Sequence, residues 1–165
     1  IANVTELADD YAVTGITYAG IECYIRWLNR STGLTYRLPT AGEWLYVAKR
    51  AYAALGNRPL GVIERPPSDR EPRDAVNGGV ILPARHGVLS PDGLYGLLDS
   101  AAEYMAETVP QPPDKCRIYG MQNCRRRLLF GYRAGFTKTP FFEPDYLVDV
   151  DTDTGIGFRL ARAAQ

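Results

Sequence analysis

Apolar residues recur at helical spacing first over residues 17–31. Ile21, Tyr24, Ile25 and Leu28 fall on one stripe of a 3.6-residue repeat. Thr17 stands where an N-cap belongs, and Gly33 lies just past the end. A short strand is predicted over residues 34–38. A second helix then starts abruptly from "YRLPTAGEW". Thr40 is a natural N-cap, and Glu43, three residues on, completes a reciprocal capping box. Pro39 disfavours helix in the residue before it and fixes the boundary. Trp44 stands at the fourth helical position, where it can fold back over the entering chain. This helix is expected to run to about Ala54.

The period is then lost. Residues 56–89 are rich in Pro, Gly, Arg and Asp and read as a long irregular excursion. Pro91-Asp92-Gly93 signals a turn, and an apolar segment follows as far as Glu103 and Tyr104. Residues 110–127 read as a loop, residues 128–136 ("LLFGYRAGF") as a strand and residues 141–154 as another loop. "GIGFRLAR" closes the pattern as a final strand, with Ile156, Phe158 and Leu160 alternating inward. Two helices followed by short strands and long loops predict an α+β domain.

Composition narrows the function classes. The 165 residues fit one domain, and 19 basic residues balance 19 acidic ones. A neutral chain gives no general electrostatic reason to bind nucleic acid. No apolar run reaches the roughly 18–20 residues of a membrane-spanning helix. No nucleophile elbow, phosphate-binding loop or His-rich metal motif is present. His86, the one histidine, reads as a surface or hydrogen-bonded side chain.

Three cysteines bear on compartment. Cys23 lies within the first helical pattern and is expected to be reduced and buried as a small hydrophobe. Cys116 and Cys124 bracket a loop-like segment, compatible with two free thiols, a local disulfide or, less simply, a metal pair. Arg117 and Arg125 to Arg127 surround them, and such a field makes free thiols easy to oxidise. A Cys116–Cys124 disulfide is therefore expected, and with it a place outside the cytoplasm.

The order of "YRLPTAGEW", the "PDGLYGLL" turn and the terminal "GFRLAR" resembles the sulfatase-modifying-factor family, typified by formylglycine-generating enzyme. The resemblance covers residues 16–54 and 90–107 well and 127–162 more loosely. It implies a C-type-lectin-like fold of the formylglycine-generating-enzyme type. It also implies one domain over residues 1–165 that lacks most of the usual N-terminal portion.

The departures from that family matter most. Its catalytic cysteines follow a strand matched here by residues 127–136, and no cysteine follows that strand. Cys116 and Cys124 precede it. Related sulfoxide synthases need three histidines for iron, and only His86 exists here. The family's calcium-holding "GNVWEW" turn reads "DSAAEY" over residues 99–104, with Ser100 in place of Asn and Tyr104 in place of Trp. Glu103 is retained and is expected to serve a structural pairing. A single carboxylate is far from the six to eight oxygens calcium prefers. A weak calcium site at Asp149, Asp151 and Asp153 is the remaining cofactor candidate, since the Asp spacing only begins like a calcium loop.

These features predict a non-catalytic binding or scaffold domain with a protein partner, such as a subunit of a surface or envelope assembly. Phe141, Phe142, Asp145 and Tyr146 are the candidate binding loop. Thr40, Glu43, Trp44 and Glu103 are the structural motif. One alternative is a copper-dependent oxidoreductase using Cys116 and Cys124. Another is the variable receptor protein of a diversity-generating retroelement, diversified within residues 141–154.

Overall fold

The structure is a computed structural model. It describes residues 11–56, 89–98, 101–110, 116–118, 120–121, 124–131, 142, 144–148, 153 and 155–163.

Helix α1 spans Tyr18–Thr32. Thr17 caps it, its hydroxyl accepting from the Gly20 amide at 3.2 Å. Gly33 ends it in the left-handed conformation (φ 69°), donating its N–H to the Asn29 carbonyl. Asn29 also clamps the next strand, β1 (Tyr36–Arg37). Its amide donates to the Tyr36 carbonyl, and its side-chain oxygen accepts from the Tyr36 amide. Helix α2 spans Ala41–Ala54. The later strands are β2 (Ala102–Pro110), β3 (Arg125–Phe130), β4 (Asp145–Val148), β5 (Ile156–Gly157) and β6 (Ala161–Arg162).

Two sheets result. β1 pairs antiparallel with β6, and the larger sheet has the order β4-β3-β2-β5. β2–β3 and β3–β4 are antiparallel, while β2 and β5 run parallel. Side chains alternate across a strand, and that alternation splits the core in two. Ala102, Tyr104 and Leu129 face Tyr18 and Ile21 of α1. Met105 and Phe130 face Trp44, Ala48 and Ala51 of α2. The β2–β3 pair thus carries one helix on each face.

Several expectations are corrected. Cys23 is exposed, not buried. It sits about 200° around the helix from the fully buried Ile21, so it faces the opposite side. Tyr24 is also exposed, at the edge of the apolar stripe. The strand expected over residues 34–38 contracts to two residues. The apolar segment expected to end at Glu103 and Tyr104 continues as the nine-residue β2, Ala102–Pro110. β3 begins three residues earlier than expected. Asp145 and Tyr146 lie in β4, within a stretch read as loop. The final strand is divided into β5 and β6, and Ile156 alone of its three alternating residues is buried. Most of the irregular excursion, residues 57–88, falls outside the described residues, with His86 in it.

Candidate functional site

Thr40, Glu43, Trp44 and Glu103, the structural motif expected from the sequence, lie where α2 meets β2. The starting point is Thr40. Its hydroxyl accepts from the Glu43 amide at 3.2 Å, and the Glu43 carboxylate accepts from the Thr40 amide at 2.8 Å. Both halves of the capping box are formed. Arg37 grips the same carboxylate with both terminal nitrogens, at 2.7 and 2.6 Å. Those two charge-assisted bonds, then the Thr40 amide, hold Glu43 down at a pKa of about 2.

The next backbone amide is capped from another element. The Ala41 N–H donates to both oxygens of Glu107, at 2.9 and 3.0 Å. A carboxylate at a helix N-terminus also meets the favourable end of the helix dipole. Glu107 reaches this position because β2 is irregular. Tyr104 pairs with Leu129, but the next pair is Thr108 with Arg127. The shift leaves residues 105–107 bulged out of the ladder. Within the bulge the Ala106 amide donates instead to the Pro39 carbonyl at 2.9 Å. The bulge is therefore the joint that fastens β2 to the start of α2.

One turn into α2, Trp44 is 1% exposed and stacks on Phe130 with ring centroids 5.5 Å apart. Its indole N–H donates to Glu103 at 2.8 Å. Glu103 is itself buried, and Arg159 forks onto it from the chain's final segment. Burial pulls the Arg159 pKa down, while the Glu103 charge and hydrogen bonds push it up; the net shift is upward. Arg159 also donates to the Tyr95 carbonyl at 3.3 Å. One buried carboxylate thus ties together α2, β2, the turn after Ser90 and the segment between β5 and β6. Gly131 closes the space beside Trp44. Its φ is +107°, and a Cβ there would lie 3.5 Å from the indole ring and 3.4 Å from the Ala102 backbone.

Cys116 and Cys124 are bonded to each other, with Cα atoms 5.5 Å apart. The bridge sits just inside the pairing of Pro110 with Arg125, where β2 ends and β3 begins. It shortens the connection between the two central strands.

The candidate binding loop is only partly a loop. Phe142 packs edge-to-face on Tyr52 of α2, with centroids 5.5 Å apart. Tyr146 lies in β4 beneath the Arg126 guanidinium, 4.6 Å from its ring centroid. The Asp145 carboxylate accepts from the Tyr146 amide at 2.7 Å. Phe141 falls outside the described residues. So do Asp149 and Asp151, while the Asp153 carboxylate accepts from the Gly155 amide at 2.7 Å. Among the described residues, no three of His, Cys, Asp or Glu are grouped to hold a metal ion.

Sequence reasoning missed Arg159 and Glu107 as partners of this junction. The signal for Arg159 was present: it is the arginine of "GFRLAR", and a buried glutamate needs a cation. Nothing local announced Glu107, whose role depends on the bulge.

This arrangement is an α+β fold of the formylglycine-generating-enzyme type. Solved structures share it, CarF and PvdO among them. CarF matches with a TM-score of 0.65 and 16% identity, over 94% of this chain and 69% of that one. PvdO from Pseudomonas aeruginosa matches with a TM-score of 0.55 and 18% identity, over 96% of this chain and 64% of that one. At such identities the likeness establishes the fold alone. No protein-family model and no curated protein matches the sequence.

Proposed function

We propose that this chain is a non-catalytic binding or scaffold domain, working outside the cytoplasm through contacts with a protein partner. The observation that carries this reading is the Cys116–Cys124 bond. A copper-thiolate oxidase needs two thiolates free to share one soft ion. Here the one pair placed to do so is consumed in a cross-link, and the third cysteine stands on the outer face of α1. The polar residues at the α2–β2 junction point the same way. Thr40, Glu43, Glu103 and Glu107 spend their hydrogen bonds on caps and on ion pairs within the fold. Such groups fix a scaffold on which other surfaces can be displayed. No helix among the described residues is long and apolar enough to cross a membrane.

The test is to titrate the native, unreduced protein, its disulfide intact, with copper(I) against a chromophoric chelator and then offer a cysteine peptide of the sulfatase type. The proposal expects no stoichiometric copper and no peptide oxidation. One copper per chain, lost in Cys116→Ser, would overturn it in favour of the oxidoreductase.

A further inference from the structure

The connection from β2 to β3 holds a tight turn at Cys116, and two backbone hydrogen bonds close it. The Gly120 amide donates to the Arg117 carbonyl at 3.0 Å, and the Met121 amide donates to the Cys116 carbonyl at 3.2 Å. The Cys116–Cys124 bond then fastens this turn to the residue before β3. Arg117 follows one bridged cysteine, and Arg125 follows the other. One step along the chain is about 3.8 Å, so the Cα atoms of the two arginines lie no more than about 13 Å apart. Both side chains are exposed. Ile118, beside Arg117, is 76% exposed, more than any other large apolar residue described.

The cations at this corner have no counter-charge within the fold. Arg37, Arg50 and Arg159 each meet a carboxylate. Among the described residues, none reaches Arg117, Arg125 or Arg126. Arg126 lies over the Tyr146 ring, and its buried Nε has no acceptor. Three uncompensated positive charges thus gather at one cross-linked corner of a chain whose formal net charge is zero. Such a chain draws in no anion from afar, so the attraction is local and short-ranged.

We propose that this corner docks a carboxylate-bearing segment of a protein partner. The inference rests on the partner proposed above and names its chemistry. The planar fork of arginine matches a carboxylate with two parallel hydrogen bonds. An extended strand sets alternate side chains on one face about 7 Å apart, so acidic residues two or four apart reach both arginines. An apolar residue in the same segment covers Ile118. The turn is already held by its disulfide and backbone bonds, so docking costs little further order there. Other anions fit less well. Clusters that hold a protein to an anionic membrane carry about 4–8 Lys or Arg. Nucleic acid is bound through several phosphates at once and offers nothing to Ile118.

The probe is a fluorescein-labelled peptide repeating Glu-Ser-Leu-Ser, titrated with the native, unreduced full chain and read by fluorescence anisotropy. Saturable binding is expected, weakening as salt rises. Arg117→Glu with Arg125→Glu should weaken it about tenfold or more, with an unchanged far-UV circular dichroism spectrum because both side chains are exposed. Ile118→Ser should weaken it as well. Arg30→Glu with Arg162→Glu makes the same change in net charge at exposed residues elsewhere and should leave it unchanged. Absence of saturable binding overturns the proposal. So does equal binding of the peptide with glutamine in place of glutamate, or an equal loss in the Arg30 and Arg162 variant. Arginine-dependent binding to phosphatidylserine vesicles without binding to the peptide overturns it in favour of a membrane surface. The copper titration judges the scaffold role separately. A chain that binds neither copper nor the peptide keeps that role and loses this surface.

Discussion

A carboxylate removed from water must be matched or it unfolds its surroundings, and Glu103 shows how this chain matches one. It is 6% exposed and accepts from Trp44 and from two nitrogens of Arg159. Glu103→Gln keeps the shape and an acceptor for the indole but leaves the Arg159 charge unopposed. Breaking a buried pair from one side costs about 3–5 kcal/mol. Arg159 retains 23% exposure, so water recovers part of that, and a loss of about 2–3 kcal/mol is expected from urea unfolding. An unchanged midpoint would show that the pair is not a structural tie. Glu43 is the exposed counterpart, and its expected effect is one of pH. Its folded pKa is depressed from 4.5 to about 2. The stability it contributes is therefore complete above about 4.5 and is lost as pH falls from there towards 2. Both it and Arg37 are nearly half exposed, so screening limits the effect to about 0.5–1 kcal/mol. Glu43→Gln should flatten the stability profile between pH 4.5 and 2. A profile of unchanged slope in that window would mean that another carboxylate governs it.

The helices were legible because their signals are local. Thr17, Gly33, Thr40 and Glu43 act within a turn of where they stand, and the observed α1 and α2 begin and end within a residue or so of expectation. The strands were less legible because their logic is distant. β2 contains two glutamates within nine residues. One is buried only because Arg159 reaches it across 56 residues, and the other turns towards α2 at a bulge that breaks the two-residue alternation. β4 is four residues between Pro144 and an Asp-rich run, too short for a pattern, and pairing with β3 is what defines it. Cys23 was misplaced for a simpler reason: helical membership was read as burial, although its angle set it opposite Ile21. The Cys116–Cys124 bridge lies within the connection between β2 and β3, next to the start of β3, and its energetic effect belongs to that hairpin. Closing a loop of nine residues restricts the unfolded chain by about 2–3 kcal/mol in the chain-entropy model. The Cys116→Ser, Cys124→Ser variant should lose about that much stability. Alkylation should label one thiol in the native protein, Cys23, and three after reduction and unfolding. Labelling of two or more in native, unreduced protein would exclude the bridge and withdraw the main support for an extracytoplasmic setting.

At the scale of the whole molecule, the β2–β3 pair links the two halves of the core. Tyr104 and Leu129 belong to the α1 side, while the next residues along, Met105 and Phe130, belong to the α2 side. Both helices lean on this one pair of strands, so losing either core removes the support of strands the other requires. Domains of this size ordinarily unfold in one cooperative step, and this arrangement gives a structural reason for it here. Ile21→Ala deletes fully buried volume beneath α1, and Met105→Ala does so beneath α2. Each should cost about 2–5 kcal/mol. The more telling expectation is that each variant destabilises both halves equally. Near-ultraviolet circular dichroism, to which the buried Trp44 on the α2 side contributes, and hydrogen exchange of the α1 amides should report one midpoint for a given variant. If Ile21→Ala moves the α1 exchange but leaves the Trp44 signal at its wild-type midpoint, the two cores are separate cooperative units. The central strands would then be a shared boundary and not a shared support.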